Sequence, residues 1–153
     1  MLGSEVYFEG RERRGAKDLV NSLLNYGYGV LYGRVHEAVI VSGLNPSISF
    51  LHTEQPGKPT LIFDVIEEFR QPVVDKSVVA LIRRGARDLH MEGTGLADST
   101  KKRVVESVLE RLCARVRYRS SRVPMREVIR RQARALAECL QSGKSYRPYV
   151  DQW

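Results

Sequence analysis

The sequence is poor in cysteine, and its cysteines form no recognisable motif. Cys113 and Cys139 are the only two among 153 residues, and no CxxC pair is present. Disulfide-stapled domains and zinc knuckles both need several closely spaced thiols. The scarcity therefore argues against both classes and favours a reducing, cytoplasmic setting.

Long apolar runs are missing as well. No stretch approaches the roughly 20 apolar residues of a membrane span, and the N-terminus lacks the charged-then-apolar pattern of a signal peptide. A membrane-spanning or exported chain is therefore not expected. Residues 1–4 have no periodicity and join abruptly to Glu5, so they are interpreted as a remnant of an expression vector.

Acidic residues are outnumbered by basic ones. The chain has 18 Asp and Glu against 25 Lys and Arg, which gives a formal net charge of +7. This excess predicts a polyanionic partner, with nucleic acid first and an acidic protein or membrane surface behind it. Because 153 residues with 42% hydrophobic content can bury one sizeable core, a single domain over residues 5–153 is expected.

Apolar residues recur at helical spacing along most of the chain. Asp18 is expected to cap the first helix and Thr60 the second, in which Pro72 must cause a kink or a restart. A loop punctuated by glycines is expected over 88–96, and Pro124 suits the first turn of the last helix. The predicted helices span 18–43, 60–85, 98–116 and 124–143, and an aromatic tail over 146–153 is expected to pack back onto them. The pattern predicts an all-α, compact and bundle-like domain.

The first predicted helix carries residues that are unusual in a helix interior. Gly27, Gly29 and Gly33 each weaken an isolated helix by roughly 1 kcal/mol, so close packing against a neighbouring helix is expected to compensate. Polar and aromatic side chains also lie along it, and the tyrosines among them are interpreted as core or interface residues and not as DNA contacts. The polar and aromatic side chains are those of Asn21, Asn25, Tyr26, Tyr28 and Tyr32.

The densest candidate for chemistry combines a loop histidine with two carboxylates. His52 lies on the connector before the second helix, and Asp64 and Glu67 are three residues apart, which places both on one helix face. One imidazole and two carboxylates suit Mn²⁺ or Mg²⁺. Acids at this spacing more often mark a solvated face, but an unpaired carboxylate within an apolar run would be costly to bury. No Ser-His-Asp order, P-loop or dinucleotide fingerprint is present in the sequence.

A run rich in arginine is the second candidate. Between residues 111 and 134, nine arginines accompany a single acid, Glu127. Guanidinium groups bind phosphates through a planar fork, and Tyr118 among them could stack on a base. The pattern is equally compatible with an ordinary solvated helix face and with nucleic-acid contact. The residues expected to make that contact are Arg115, Arg119 and Arg122.

Three motifs in order along the chain resemble one family, the CRISPR-associated adaptation integrases. They are DLVNSLLNYGYGVLY at 18–32, GLNP followed by FLH at 43–52, and LIFDVIEEFRQP at 61–72. The likeness extends from about residue 8 to Trp153 and includes the YRPY of the tail. A match of three ordered motifs is highly specific.

The resemblance implies a carboxy-terminal helical domain with a divalent ion, Mg²⁺ or Mn²⁺, held by a glutamate, a histidine and an acidic residue. His52 matches the histidine ligand and Glu67 the acidic ligand. Asp64 matches a further acid beside the metal, and Tyr32 matches a tyrosine that handles DNA ends. In that family, the 3′ hydroxyls of a prespacer duplex attack phosphodiesters at the repeat boundaries of a CRISPR array. The full-length family proteins are homodimers that work with a small companion protein.

One part of the family pattern has no counterpart in this sequence. The metal-binding glutamate belongs upstream of residues 8–11, Glu5 and Glu9 do not match it, and the amino-terminal β domain used for dimerisation is missing. The chain is therefore expected to be a fragment of a metal-dependent DNA integrase and endonuclease, with an incomplete active site and little activity of its own. The alternatives are a DNA-binding or assembly module without chemistry, and a purely structural helical domain. No membrane partner is expected.

Overall fold

The fold is mainly helical, as predicted, with two short hairpins between the helices. A computed structural model describes residues 10–12, 17–48 and 58–151. The helices are α1 (Leu19–Val41), α2 (Thr60–Phe69), a π-helical segment (Arg70–Asp75), α3 (Lys76–Gly85), a 3₁₀ turn (Ala86–Asp88), α4 (Asp98–Cys113) and α5 (Met125–Ser142). The strands are β1 (Met91–Glu92), β2 (Gly95–Leu96), β3 (Arg115–Tyr118) and β4 (Ser121–Pro124). None of the described helices is long and apolar enough to cross a membrane.

α1 is the central helix and packs against α2, α4 and α5. Asp18 caps it as predicted, because a carboxylate oxygen of Asp18 accepts a hydrogen bond from the backbone N–H of Asn21 at 2.8 Å. Leu23, Leu31 and Val35 are completely buried along the helix. Their burial places α1 in the middle of the hydrophobic core.

The three glycines of α1 differ in how closely other residues approach them. A Cβ atom at Gly27 would lie 2.7 Å from Cγ1 of Val74, so the missing side chain lets the π-helical segment approach α1 closely. The predicted close packing is confirmed at this position. At Gly29 and Gly33 a Cβ atom would meet nothing within 4 Å among the described residues, so the same prediction is wrong for both.

Pro72 interrupts a long helical stretch without ending it. α2 runs into the π-helical segment, and α3 continues from Lys76. Proline has no N–H to donate and its ring crowds the carbonyl one turn earlier, and the wider π turn accommodates both effects. The predicted kink thus takes the form of a π segment. The carbonyl of Pro72 accepts a hydrogen bond from Nε of Arg111 at 2.7 Å, which ties the segment to α4.

The start of α2 differs from the prediction. Thr60 is the first residue of the helix and not its cap, and the capping position belongs to Pro59, which has no side-chain hydrogen bond to offer. The Thr60 hydroxyl instead donates to the carbonyl of Ser47 at 3.1 Å. The cap prediction fails because this hydroxyl serves to join the helix to the connector that follows α1.

A hairpin replaces the end of the predicted third helix. α4 ends at Cys113, and β3 then pairs antiparallel with β4, with Arg117 opposite Arg122. Side chains alternate along β3, where Val116 and Tyr118 are buried and the arginines between them are exposed. The prediction of helix as far as Val116 is therefore wrong. The β1–β2 hairpin likewise occupies part of the segment predicted as a loop.

The aromatic tail packs back onto the body, as predicted. Gly143 ends α5 in a left-handed conformation with φ of 67°. The ring of Tyr149 stacks on that of Phe69, with the ring centroids 5.9 Å apart. Asp151 accepts a hydrogen bond from Nζ of Lys76 at 2.5 Å. The tail thereby covers α2 and α3.

Candidate metal and nucleic-acid site

The two predicted carboxylates lie on α2 and differ in exposure. Asp64 is buried, with 8% of its surface exposed, whereas 51% of the Glu67 side chain is exposed. Their spacing places both on the same side of the helix. His52 lies outside the described residues. Among the residues that the structure describes, no three His, Cys, Asp or Glu side chains come together as a metal site.

Glu67 is held by an arginine one turn further along. Nη1 of Arg70 donates a hydrogen bond to Oε1 of Glu67 at 2.5 Å. Burial disfavours the charge on the guanidinium, but the hydrogen bond and the charge of Glu67 outweigh burial and raise the pKa of Arg70. Arg70 is therefore a fixed cation beside an exposed carboxylate. A metal ion bound by Glu67 would share that carboxylate with Arg70.

Tyr28 on α1 supports Arg70. The guanidinium carbon of Arg70 lies 4.4 Å from the centroid of the Tyr28 ring, and that of Arg11 lies 5.2 Å from the same centroid. The Tyr28 hydroxyl donates to Oδ1 of Asp75 at 2.5 Å. Burial and this hydrogen bond raise the pKa of Tyr28, so the hydroxyl stays protonated. One aromatic ring thus holds two cations in place.

The asparagines of α1 hold the segment that precedes the helix. Arg11 donates from Nη1 to Oδ1 of Asn21 at 2.9 Å and from Nη2 to Oδ1 of Asn25 at 2.6 Å. Asn21 is 1% exposed and donates in turn to the carbonyl of Gly10 at 2.7 Å. The two asparagines therefore fix residues 10–12 against the start of α1.

Tyr32 lies on α1 beside the carboxylate-bearing part of α2. Its half-buried ring has its centroid 5.9 Å from that of Phe63, the residue before Asp64. The ring of His36, one turn further along α1, lies 5.9 Å away on the same helix. The structure therefore places Tyr32 against α2, the helix that carries Asp64 and Glu67, through its contact with Phe63.

Seven of the nine arginines in the arginine-rich run fall into two groups. One group is engaged within the fold: Arg111 contacts Pro72 and Asp151, Arg130 contacts Glu37, and Arg131 contacts Glu127. The other group is exposed on the β3–β4 hairpin. Its members are Arg115, Arg117, Arg119 and Arg122. These four lie on strands and a turn, whereas Arg115 was predicted to lie at the end of the third helix.

A carboxylate that the sequence did not single out, Glu68, anchors the tail. It accepts hydrogen bonds from the Tyr146 hydroxyl at 2.5 Å, from the backbone N–H of Tyr149 at 2.8 Å and from Nε2 of Gln132 at 2.9 Å. Burial, and then the hydrogen bond to Glu68, raise the pKa of Tyr146 far above its ordinary value. The sequence offers one signal for this role, because Glu68 directly precedes Phe69, which the structure shows to be fully buried.

Gln132 on α5 completes this network. Its Oε1 accepts a hydrogen bond from the Tyr118 hydroxyl at 2.9 Å. Its Nε2 donates to Glu68, to the Tyr146 hydroxyl at 3.0 Å and to the carbonyl of Arg147 at 3.1 Å. A glutamine that is 1% exposed thus links β3, α2 and the tail through satisfied polar atoms.

The domain thus carries two carboxylates on α2 and exposed arginines on the β3–β4 hairpin, and arginines of this kind suit contact with nucleic-acid phosphates. The chain belongs to the Cas1 family, because the family model of CRISPR associated protein Cas1 matches residues 1–110. The CRISPR-associated endonuclease Cas1 1 of Thermus thermophilus is 37% identical over 165 aligned residues, which cover 96% of this chain and 52% of that protein. The chain thus spans about half the length of this relative.

Two solved structures have the same fold. A casposase bound to an integration product is 29% identical with a TM-score of 0.84, over 97% of this chain and 48% of that one. A Cas6-RT-Cas1–Cas2 complex is 21% identical with a TM-score of 0.76, over 97% of this chain and 17% of that one, which shows the fold alone. The resemblance to the adaptation integrases and the helical fold class are both confirmed.

Proposed function

We propose that this chain is part of a metal-dependent DNA integrase and endonuclease that inserts prespacer DNA into a CRISPR array. The proposal is supported by membership of the Cas1 family, by two carboxylates three residues apart on α2, and by the contact of Tyr32 with Phe63 of the same helix. The likeness to a casposase bound to an integration product supports the same class of reaction. The proposed substrates are a prespacer duplex and a CRISPR repeat. A small companion protein is the proposed partner, and the whole protein is proposed to be a homodimer.

The donor set fits a hard divalent cation. Carboxylate oxygens suit both Mg²⁺ and Mn²⁺, and an imidazole nitrogen is compatible with Mn²⁺. The exposed carboxylate of Glu67 can be reached by an ion from solvent, whereas Asp64 is buried. We assign Glu67 and His52 as metal ligands and Asp64 as a neighbouring acid that acts in catalysis.

The proposed reaction exchanges one phosphodiester for another. A 3′ hydroxyl oxygen bonds to phosphorus as the bond from phosphorus to the leaving 3′ oxygen breaks, and the hydroxyl proton passes to that oxygen through solvent. Bound Mg²⁺ or Mn²⁺ would polarise the phosphoryl oxygen and stabilise the charge that builds in the transition state. Arg70, fixed against Tyr28, places a permanent positive charge on the same helix face. Tyr32 positions the DNA end, and Arg115, Arg119 and Arg122 contact backbone phosphates.

The ligand set within this sequence is incomplete. No residue of the chain matches the glutamate that the family places upstream of residues 8–11, so we propose that this polypeptide alone binds metal weakly and transfers strands poorly or not at all. The exposed arginines of the β3–β4 hairpin favour a second candidate function. In that function the domain is a DNA-binding or assembly module, and other segments supply the chemistry.

Substitution of the proposed ligands tests the assignment. His52→Ala and Glu67→Ala should each lower Mn²⁺ affinity and Mn²⁺-dependent strand transfer at least ~10-fold, because each removes a ligand atom. Salt-sensitive binding of a DNA duplex should stay nearly unchanged, since phosphate contacts do not need these residues. Mn²⁺ affinity is measured by titration calorimetry and strand transfer with labelled oligonucleotides.

The matched control is Glu110→Ala, which removes an exposed acid of α4 that pairs with the exposed Arg84. It should change neither measurement. Cleavage that survives both ligand substitutions would show the site assignment to be wrong. Full strand transfer by the wild-type chain would contradict the incomplete ligand set. Tight DNA binding by the wild-type chain, with Mn²⁺ binding that neither His52→Ala nor Glu67→Ala reduces, would instead favour the DNA-binding module.

A further inference from the structure

A cavity lies between the β3–β4 hairpin, α5 and the tail. It has a volume of about 450 Å³, and we name it the hairpin–tail pocket. Three arginines line it from three different segments: Arg117 from β3, Arg119 from the hairpin turn and Arg147 from the tail. Of the described residues that line the pocket, none is acidic. The pocket therefore gathers positive charge that its own walls do not neutralise.

The guanidinium groups of this pocket are available to a ligand. Within the described part of the chain, Arg117 and Arg147 make no side-chain hydrogen bond or ion pair. Arg119 lies over the Tyr118 ring, with its guanidinium carbon 5.2 Å from the centroid, and this contact leaves its N–H donors unused. A planar guanidinium fork matches the geometry of phosphate oxygens.

One feature of the hairpin carries an energetic cost. Arg117 lies directly opposite Arg122 across the two strands, and like charges at such positions are destabilising. A bound anion beside Arg117 would offset this repulsion. The positive φ of Arg119, 54°, belongs to the turn itself, because the first residue of a two-residue hairpin turn adopts that conformation.

The tail holds the third arginine in a fixed place. The carbonyl of Arg147 accepts a hydrogen bond from Gln132, and the backbone N–H of Tyr149 donates to Glu68. Because residues on both sides of the Arg147 side chain are anchored, the pocket is assembled before a ligand arrives. Such preorganisation lowers the entropic cost of binding.

We propose that the hairpin–tail pocket binds a phosphate group of a nucleic-acid strand, as a second anchor separate from the carboxylate face of α2. The proposal rests on the proposed function for the kind of substrate. Tyr118 and Tyr149 are buried in the wall of the pocket, so no aromatic face is free to stack on a base. Recognition is therefore of phosphate and independent of sequence. The group is either an internal phosphodiester or a terminal 5′ phosphate.

The test compares R117A/R147A with the wild-type chain in EDTA, by fluorescence anisotropy with an internally labelled duplex. Loss of two phosphate contacts should weaken binding at least ~10-fold and reduce the slope of log affinity against log salt by between about one and two. The control R34A/R84A removes two exposed arginines outside the pocket, which pair with Glu37 and Glu110. It matches the change in net charge and should have a much smaller effect.

Duplexes with and without a 5′ phosphate show whether the bound group is a terminal phosphate or an internal phosphodiester. If the wild-type chain prefers the phosphorylated duplex and R117A/R147A does not, the pocket holds a terminal phosphate. If R117A/R147A binds both duplexes more weakly than the wild-type chain by the same factor, the pocket holds an internal phosphodiester. Equal binding of both duplexes by R117A/R147A and R34A/R84A would overturn the proposal.

EDTA makes this result independent of the metal chemistry. Failure of the wild-type chain to bind any duplex would count against DNA as substrate and so against the proposed function itself. If the wild-type chain binds the duplexes and R117A/R147A binds them as R34A/R84A does, only the proposal for the pocket is overturned. Should the double variant fold poorly, Arg147→Ala alone changes an exposed tail side chain, and about half of the effect on the salt slope is expected.

Discussion

Glu67 and Glu68 are adjacent in sequence but have different roles in the structure. Glu67 is exposed and pairs with Arg70, one helical turn away. Glu68 faces the body and accepts hydrogen bonds from the tail and from Gln132. Adjacent residues on a helix point about 100° apart, so one helix can present an acid to a candidate metal site and another to a structural network.

Removal of the Glu68 carboxylate should destabilise the fold. Glu68→Ala leaves the donors of Tyr146, Tyr149 and Gln132 without their acceptor, and each unsatisfied buried donor costs about 1–3 kcal/mol. Because solvent can replace part of this network, a loss of about 2–4 kcal/mol in the free energy of unfolding is expected. Urea denaturation followed by circular dichroism measures it.

The control for this prediction is the neighbouring carboxylate. Glu67→Ala removes an acid that is 51% exposed and has one ion-pair partner, so its loss should cost less than about 1 kcal/mol. The two variants should therefore separate stability from metal binding, with Glu68→Ala affecting the first and Glu67→Ala the second. Equal stability of both variants would refute the anchoring role of Glu68.

At the residue scale, local spacing predicts part of the site. Asp64 and Glu67 are predicted as site residues from local signals, namely their three-residue spacing and the motif around them, and they stay a prediction. Glu68 escapes prediction because its partners are distant in sequence: the Tyr146 and Tyr149 contacts span 78 and 81 residues. The unpaired state of Arg117 and Arg147 also depends on the folded arrangement, which charge counting along the chain cannot report.

At the scale of elements, α1 offers a matched pair of glycines. Gly27→Ala would place a Cβ atom 2.7 Å from Val74 in a packed core, and overpacking of this kind costs about 1–3 kcal/mol. Gly29→Ala on the same helix meets open space and should gain stability by up to about 1 kcal/mol through helix propensity. Thermal unfolding measures both, and a stabilised Gly27→Ala would contradict the close approach of α1 to the π-helical segment.

The elements differ in how far the sequence can predict them. Long helices such as α4 and α5 carry apolar residues at helical spacing over several turns, and the predicted bounds of both lie close to the observed ones. The β3–β4 hairpin escapes prediction because Val116 also continues the four-residue spacing from Leu112. Only the pairing of β3 with β4 reveals the alternation as a strand. Helix and strand differ here over too few residues for periodicity to separate them.

At the scale of the whole molecule, the tail joins helices that are far apart in sequence. Asp151 contacts Lys76 of α3 and Arg111 of α4. Burial opposes the charge of its carboxyl, but hydrogen bonds from Lys76 and Tyr149 and the nearby positive charges outweigh burial, and hold its pKa below the ordinary 3.8. One carboxyl thus fastens the end of the described chain to the core.

This lowered pKa predicts how stability depends on pH. A carboxyl whose pKa is lower in the folded than in the unfolded state contributes stability that is present above the unfolded pKa and is lost as the pH falls through the folded pKa. Asp151→Asn should therefore cost about 1–3 kcal/mol at pH 7, and the difference from the wild-type chain should shrink below about pH 4. Urea denaturation at pH 7, 5 and 3 measures the difference.

Asp88→Asn is the control for the pH dependence. The Asp88 side chain is 77% exposed and pairs with Arg103, so its substitution should change stability by less than about 1 kcal/mol across the same range. A difference between wild type and Asp151→Asn that stays constant from pH 7 to pH 3 would show that the charge of Asp151 is not what holds the tail.

The π-helical segment also bears on which changes of length the chain can tolerate. A π turn follows the path of an α-helix with one residue more, so the extra residue is absorbed within the turn and the helix continues beyond it. A variant that lacks one residue of the segment could therefore form an ordinary α-helical turn there and still present the same side of α3 to the tail. The carboxylates of α2 precede the segment and would keep their place.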